Sequence, residues 1–289
     1  MVWNWFRFGC SDEDFLLMEF YRKNRREKQR WLTSAKNNRY LYKTVYDDDA
    51  RLTFDNKEYF DKRFKHFMKH DVLVLRESKT DDILAFVNKY KEVIIKPANG
   101  ACGVGIYKIK NDKEAIDKLI ARLKKGENLI MEQLIVQHPE MARMNPTSVN
   151  TIRVITMVDR NGDTHIINTS AKFGGSENCI SNTLSGGISC HINSETGIVD
   201  HPGYDKHGED YVMHPVSKVI IPGFQIPNWS GVCDFAIQLS KEVPTGRYIG
   251  WDIVITENGY DVLEGNIHPG QDFQRSDKTG RWNLIKRFI

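Results

Sequence analysis

No two cysteines in this 289-residue chain have the C-x-x-C spacing of a zinc site, and the five present (Cys10, Cys102, Cys179, Cys190 and Cys233) make an odd total. A structural zinc and a disulfide framework are both unsupported, so reduced thiols in a cytoplasmic protein are expected. Also missing is any window near the ~20 apolar residues of a membrane span. The opening "MVWNWFRFGC" lacks the basic-then-apolar pattern of a secretory signal, which again points to the cytoplasm. Charge of one sign is not in excess: the formal net charge is +3, too near balance to imply nucleic acid. Aromatics are not interleaved with the basic run, so a single-strand platform is excluded. No repeat or low-complexity tract occurs. What remains is an ordinary globular composition, 40% hydrophobic and 27% charged, long enough for one domain or for two unequal lobes sharing a cleft.

Along the chain, Ser11 followed by acids and then cations predicts one helix over "SDEDFLLMEFYRKNRREKQRWL". Its basic run, Arg22 to Arg30, is either a solvated face or a contact with an anionic surface such as a lipid headgroup layer. Trp3, Trp5, Phe6 and Phe8 read as core packing, and together with the basic run they keep peripheral contact with the inner face of the membrane among the expectations. A second helix, capped by Asp55, is predicted from Phe60, Phe64, Phe67 and Met68. Strands and helices then alternate to about residue 135, and the rest is mostly antiparallel strands, with a long hairpin turning at Asn161 and Gly162. The division expected is a helical extension over 1–50, a small α+β lobe over 51–135 and a larger lobe with an antiparallel sheet over 136–289.

The stretch "GWDIVITENGYDVLEGN" carries three oxygen-bearing side chains in a hairpin with no packing reason to keep them. A three-residue loop, Glu257, Asn258 and Gly259, would set Asp252 opposite Glu264 with Asn266 on the same face, leaving Trp251, Ile253, Ile255 and Leu263 on the other. Facing carboxylates repel unless a cation lies between them, and hard oxygen donors without His or Cys suit magnesium.

"KPANGACGVGIYKI" is the phosphate-handling counterpart. Lys96 ends a strand, and Gly100, Gly103 and Gly105 let backbone N–H groups approach phosphate oxygens. It is neither a Walker A loop nor a dinucleotide fingerprint, because a strand rather than a helix follows.

The ordered set "DNK", "KPANGACGVGIYKI", "MEQLI", "SVNTIRVIT" and "GWDIVITENGYDVLEGN" resembles the ATP-grasp fold, specifically the sugar-transfer-associated ATP-grasp proteins found with bacterial polysaccharide and teichuronopeptide genes. The resemblance implies an α+β fold of two lobes gripping ATP, with ATP and Mg2+ as cofactors. It implies that Lys57 is the first nucleotide lysine, although a surface helix lysine reads equally well. Lys96 would reach the α- and β-phosphates, under a flap of Gly100, Ala101, Cys102, Gly103, Val104 and Gly105. Glu132, Gln133 and Leu134 would hydrogen-bond adenine through their backbone, and Asp252, Glu264 and Asn266 would hold the metal.

Many such ligases carry an arginine two residues before the first metal carboxylate, where this chain has Gly250. Arg153 is the candidate to replace that charge, with Lys172 and Arg247 behind it. Substrate contacts are expected from Asn150, from Ser185, Gly186 and Gly187 in a polar segment that reads equally as a connector, and from His268, Gln271 and Asp272 just past the metal motif.

The implied activity is an ADP-releasing carboxylate–amine ligase acting through an acyl phosphate. It would join an amino acid or amino sugar to a uronic acid or other carboxylate for surface polysaccharide. The alternatives are a phosphotransferase to a hydroxyl and a nucleotide-binding module without turnover. Partners are then small-molecule or glycan substrates, not nucleic acid.

Overall fold

The computed structural model describes residues 2–99, 104–175 and 186–289. Two antiparallel sheets carry the fold. The smaller comprises β1 (Val72–Val74), β2 (Glu92–Pro97), β3 (Tyr107–Lys110) and β4 (Leu129–Gln133), in the order β1-β4-β2-β3. Helices Thr80–Tyr90 and Lys113–Lys124 close one side of it, seating Ile83, Val87, Ile116 and Leu119 on Val93, Ile95 and Met131. Asp112 caps the second helix through Ala115 N, and Gly126 follows it at φ +85°.

The larger sheet contains β5 (Thr151–Val158), β6 (Thr164–Phe173), β7 (Ile188–His191), β8 (Gly203–Tyr204), β9 (Asp210–Tyr211), β10 (Tyr248–Thr256) and β11 (Gly259–Asn266). Its order is β11-β10-β5-β6-β7-β8-β9. The long β5–β6 hairpin turns through Asn161 and Gly162 as expected, with Val158 paired to Thr164. Every residue of β5 is buried, which explains its near-continuous apolar run. Helix Trp229–Glu242 supplies Val232, Ala236 and Leu239 to the core of this sheet.

Three expectations about the N-terminal half are corrected. The long helix after Ser11 is instead three short pieces, Asp12–Leu17, Phe20–Arg22 and Arg25–Gln29. Glu19 at φ +49° breaks it, and Asn24 with Glu27 forms a second capping box that restarts the chain in a new direction. The second helix, Lys57–Phe64, is capped by Asn56 rather than Asp55, because Asp55 ends a separate helix, Asp48–Asp55. Finally, residues assigned by sequence to the small lobe, Phe60 and Phe64, join the core of the large sheet, where Phe64 and Phe54 pack edge-on against Trp251 at ring distances of 5.5 and 5.6 Å.

Candidate active site

The β10–β11 hairpin reaches the expected register by another route. Thr256 pairs with Gly259, so the loop is two residues, Glu257 and Asn258, and not three. That turn alone would set Asp252 opposite Leu263. One extra residue in β11 changes the phase: Ile253 faces Val262, yet Asp252 faces Glu264, leaving Leu263 as a β-bulge. Accordingly Val262, not Leu263, joins Trp251, Ile253 and Ile255 in the core. Across the sheet, Asp252 pairs with Arg153, Arg153 with Ser170, and Ser170 with His191. Lys172, two residues along β6, pairs with Ser189 on the same face.

This face floors a cleft of about 620 Å³, walled by Phe54, Asp55, Lys57 and Phe60 on one side and by His268, Gln271 and Asp272 on another. Arg153 forks onto Asp252, with Nε donating to Oδ1 and Nη2 donating to Oδ2 at 2.7 Å, while Lys172 Nζ approaches Oδ2 at 3.3 Å. Burial would raise the Asp252 carboxyl, but Arg153 and Lys172 outweigh it and hold the group ionised far below the usual carboxylate range. Arg153 has room because position 250 is glycine: a Cβ there would sit 3.0 Å from Arg153 Cδ and 2.7 Å from Pro269 Cβ. Its guanidinium comes from the neighbouring strand and lies over the place a side chain at 250 would take. Asn266 Nδ2 donates to Glu264 Oε1 at 3.2 Å and to Gly250 O at 3.3 Å, which orients the amide beside the two carboxylates.

Behind the cleft lies a buried charge cluster joining the two sheets. Lys96 of β2 forms an ion pair with Glu132 of β4, and His70 Nδ1 lies 2.9 Å from Asp261 Oδ2 of β11. Burial opposes protonation of His70, but the hydrogen bond to Asp261 and the Glu132 carboxylate 3.9 Å from Nε2 win and raise it to about 9. Asp61, on helix Lys57–Phe64, is pushed up to about 7 by burial, and neither of its carboxylate oxygens has a hydrogen-bond partner among the described residues. Lys57 is lowered, chiefly by burial, and feels both Glu264 of the cleft and Lys96, Glu132 and Asp61 of the cluster.

Two expected residues lie elsewhere. Asn150 is fully buried, donating to Gln137 Oε1, Met141 O and Asn145 O and accepting from Gly174 N, so it clamps the segment before β5 instead of meeting substrate. Arg247 donates to the carbonyls of Val158 and Phe288 at the far end of β10, tying down the C-terminus. Asn150 stands in a motif whose Arg153 reaches the cleft, and the sequence offers Arg247 only as a reserve charge behind Arg153 and Lys172; the pairing shows that neither Asn150 nor Arg247 reaches it.

Among the flap residues, Val104 is exposed and Gly105 takes φ +79° in a turn where a Cβ would press Pro97 Cγ at 2.9 Å. Gly100, Ala101, Cys102, Gly103 and Ser185 lie outside the described residues. Gly186 and Gly187 border the second undescribed segment, with Gly186 at φ +97°. Gln133 ties β4 to Asp71 through its backbone N and its side chain, and Leu134 follows it half-buried. His268 stacks on Tyr42 at 4.0 Å, Gln271 donates to Asp14 and Ser34, and Asp272 accepts from Tyr204.

Sequence reasoning missed Ser170, Ser189 and Tyr204 on the cleft floor. Polar residues at every second position of β6 and β7 were the available signal. It also missed Asp61, His70 and Asp261, which look like ordinary surface charges until the two sheets are brought together.

The two-sheet architecture and the cleft floored by β5, β6, β10 and β11 are those of the ATP-grasp fold. Solved ATP-grasp structures superpose on it: N5-carboxyaminoimidazole ribonucleotide synthetase (PurK) in an ADP complex, with a TM-score of 0.52 and 13% identity over 85% of this chain and 54% of that one; the ligase PsnB complexed with its minimal precursor, 0.50 and 14% over 85% and 63%; and D-alanyl-alanine synthetase A from Vibrio cholerae, 0.50 and 12% over 83% and 64%. The chain spans less than two thirds of each of these proteins, and at such identities the likeness is one of fold. No curated protein matches the chain. Residues 36–288 match the sugar-transfer associated ATP-grasp family, and the chain belongs to that family.

Proposed function

We propose that this protein is an ATP-dependent carboxylate–amine ligase. The observation that carries the reading is the row Glu264–Asp252–Arg153 across the sheet: Glu264 and Arg153 line the cleft with Lys172 and Lys57, and Asp252 lies buried between them. Two carboxylates and a carboxamide meet three cations there, as a triphosphate and its divalent cation require.

The donor set fits magnesium. Glu264 and Asn266 offer oxygens at the cleft surface, and Asp252 is kept ionised, with lone pairs beyond those taken by Arg153. When bound, Mg2+ would neutralise phosphate charge. The chain's own groups do the rest. Arg153 and Lys172 stabilise charge on the transferred phosphoryl group, and Lys57 and Lys96 hold the remaining phosphates, Lys96 first exchanging Glu132 for its nucleotide partner. The Glu132–Leu134 backbone would take the adenine.

In the reaction proposed, a carboxylate oxygen attacks the γ-phosphorus and the bond to ADP breaks, giving an acyl phosphate. An amine nitrogen then attacks the carbonyl carbon, the C–O bond to phosphate breaks, and the amine proton leaves with phosphate or solvent. Arg153 takes the role of the arginine that many relatives place two residues before Asp252. Ser170, Ser189, Tyr204 and His268 suit a hydroxyl-rich acceptor such as a uronic acid, with an amino acid or amino sugar as nucleophile in surface polysaccharide synthesis.

The test is ADP release with Mg-ATP and pooled uronic acids, nucleotide-linked uronic acids and amino acids. We expect ADP only when carboxylate and amine are both present, and a fall on the order of 100-fold or more in Asp252→Asn and Glu264→Gln. ADP formed with hydroxyl acceptors alone would replace the ligase reading with phosphotransfer. Tight ATP binding with no ADP under any mixture would replace it with a binding module.

A further inference from the structure

The N-terminal pieces and the C-terminal helix Trp282–Ile285 together form a second concavity, of about 790 Å³, on a different part of the surface from the cleft. Six cations line it: Arg7, Arg26, Arg30, Lys36, Arg39 and Lys286. No Asp or Glu is among its lining residues, and none of the six forms an ion pair among the described residues. Such convergence repels itself, and among the described residues no carboxylate pairs with it. Lys36 shows the strain: burial, and then the nearby Lys286, lower its ammonium to about 8, although Nζ donates to Trp31 O at 2.7 Å and Gln29 O at 3.0 Å.

The rim is apolar in a way a site for a small anion would not need. Helix Val2–Phe8 holds Trp3, Trp5 and Phe6 in solvent at 60, 59 and 75% exposure, and Trp5 and Phe6 themselves border the concavity. Large aromatics standing free beside a cationic basin match the two layers of a bilayer surface, acyl boundary and phosphate headgroups. From this juxtaposition we propose that the face formed by helix Val2–Phe8, the Arg26–Arg39 region and Lys286 docks the protein on the anionic headgroup layer of a lipid bilayer. The same N-terminal segment lends Glu13 and Leu17 to the cleft wall, so docking would hold the cleft close to the lipid surface. The proposal does not rest on the ligase reading.

The experiment is co-sedimentation of the full chain with vesicles of phosphatidylcholine alone and of phosphatidylcholine with phosphatidylglycerol, at low and high salt. We expect binding only to the anionic vesicles, weakened by salt, with a blue shift of tryptophan fluorescence. Arg26→Ala/Arg30→Ala should reduce partitioning on the order of 30-fold, and Trp5→Ala/Phe6→Ala should abolish the part of the shift due to insertion, both with an unchanged melting temperature. Equal binding to both vesicle types, or to neither, overturns the proposal. So does saturation by inorganic pyrophosphate without any vesicle binding, which would make the basin a site for a free phosphate.

Discussion

At the residue scale the site turns on a pair of positions in adjacent strands. Gly250 and Arg153 act together: the glycine leaves the volume through which the guanidinium reaches Asp252. Gly250→Ala should therefore displace Arg153, since its Cβ would also meet the rigid ring of Pro269. We expect a loss of about 1–3 kcal/mol in stability, from overpacking, together with a large fall in ADP release. Thermal melting and turnover measured on one preparation check this, and an unchanged turnover would remove Arg153 from the chemistry. Arg153→Lys keeps the charge but not the fork, and should recover stability better than activity. Much at this scale was legible in the sequence, because Asp252, Glu264 and Asn266 are polar where their neighbours are apolar. Asn150 and Arg247 were misplaced because a polar residue beside a motif shows that it is held, and not by what.

At the element scale, the β10–β11 hairpin shows how a correct register can be read from a wrong turn. A three-residue loop and a two-residue loop plus a one-residue bulge give the same pairing at Asp252. They differ only between residues 253 and 263, where apolar residues on both strands hide the difference. Deleting Leu263 separates the two accounts. With the bulged residue removed, the pairing set by the two-residue turn runs on unbroken, so Asp252 still faces Glu264 and Trp251 still faces Gly265, whereas a three-residue loop would slip Glu264 opposite Ile253, on the core face. We expect the deletion to keep ADP release within about tenfold of the full chain, with stability read by denaturant titration. Loss of turnover together with the several kcal/mol that a buried carboxylate costs would favour the three-residue loop instead. The broken helix after Ser11 had a visible cause that pattern reading passed over, the capping box at Asn24 and Glu27. The left-handed residue at Glu19 had no such signal, because tertiary packing of Phe20 and Trp31 imposes it.

At the scale of the whole molecule, the two sheets meet through buried charge rather than through apolar packing alone. His70 touches Glu132 of the small sheet and Asp261 of the large one. Its folded-state value, about 9, lies above the ordinary 6.5, so the stability it contributes is complete below pH 6.5 and is lost as pH rises through 9. Asp61, raised from 3.8 to about 7, changes in the same direction over a lower window. We expect the melting temperature to fall between pH 6.5 and 9, with the His70 part on the order of 3 kcal/mol, and His70→Gln to start lower and respond less. A wild-type profile flat across that window would show that the cluster does not titrate. The junction was not legible in the sequence: Lys96 and Glu132 read there as nucleotide contacts only, and its members come from three strands, one helix and the segment before β1.

The cleft floor has the same long-range character. Arg153 and Asp252 stand 99 residues apart, and their strands become neighbours only when the last hairpin docks on β5. Strand pairing at such separations is a slow part of folding. A nascent or partly assembled chain therefore has no site to occupy, and retention on an immobilised nucleotide would report completion of the sheet, sorting finished molecules from collapsed ones.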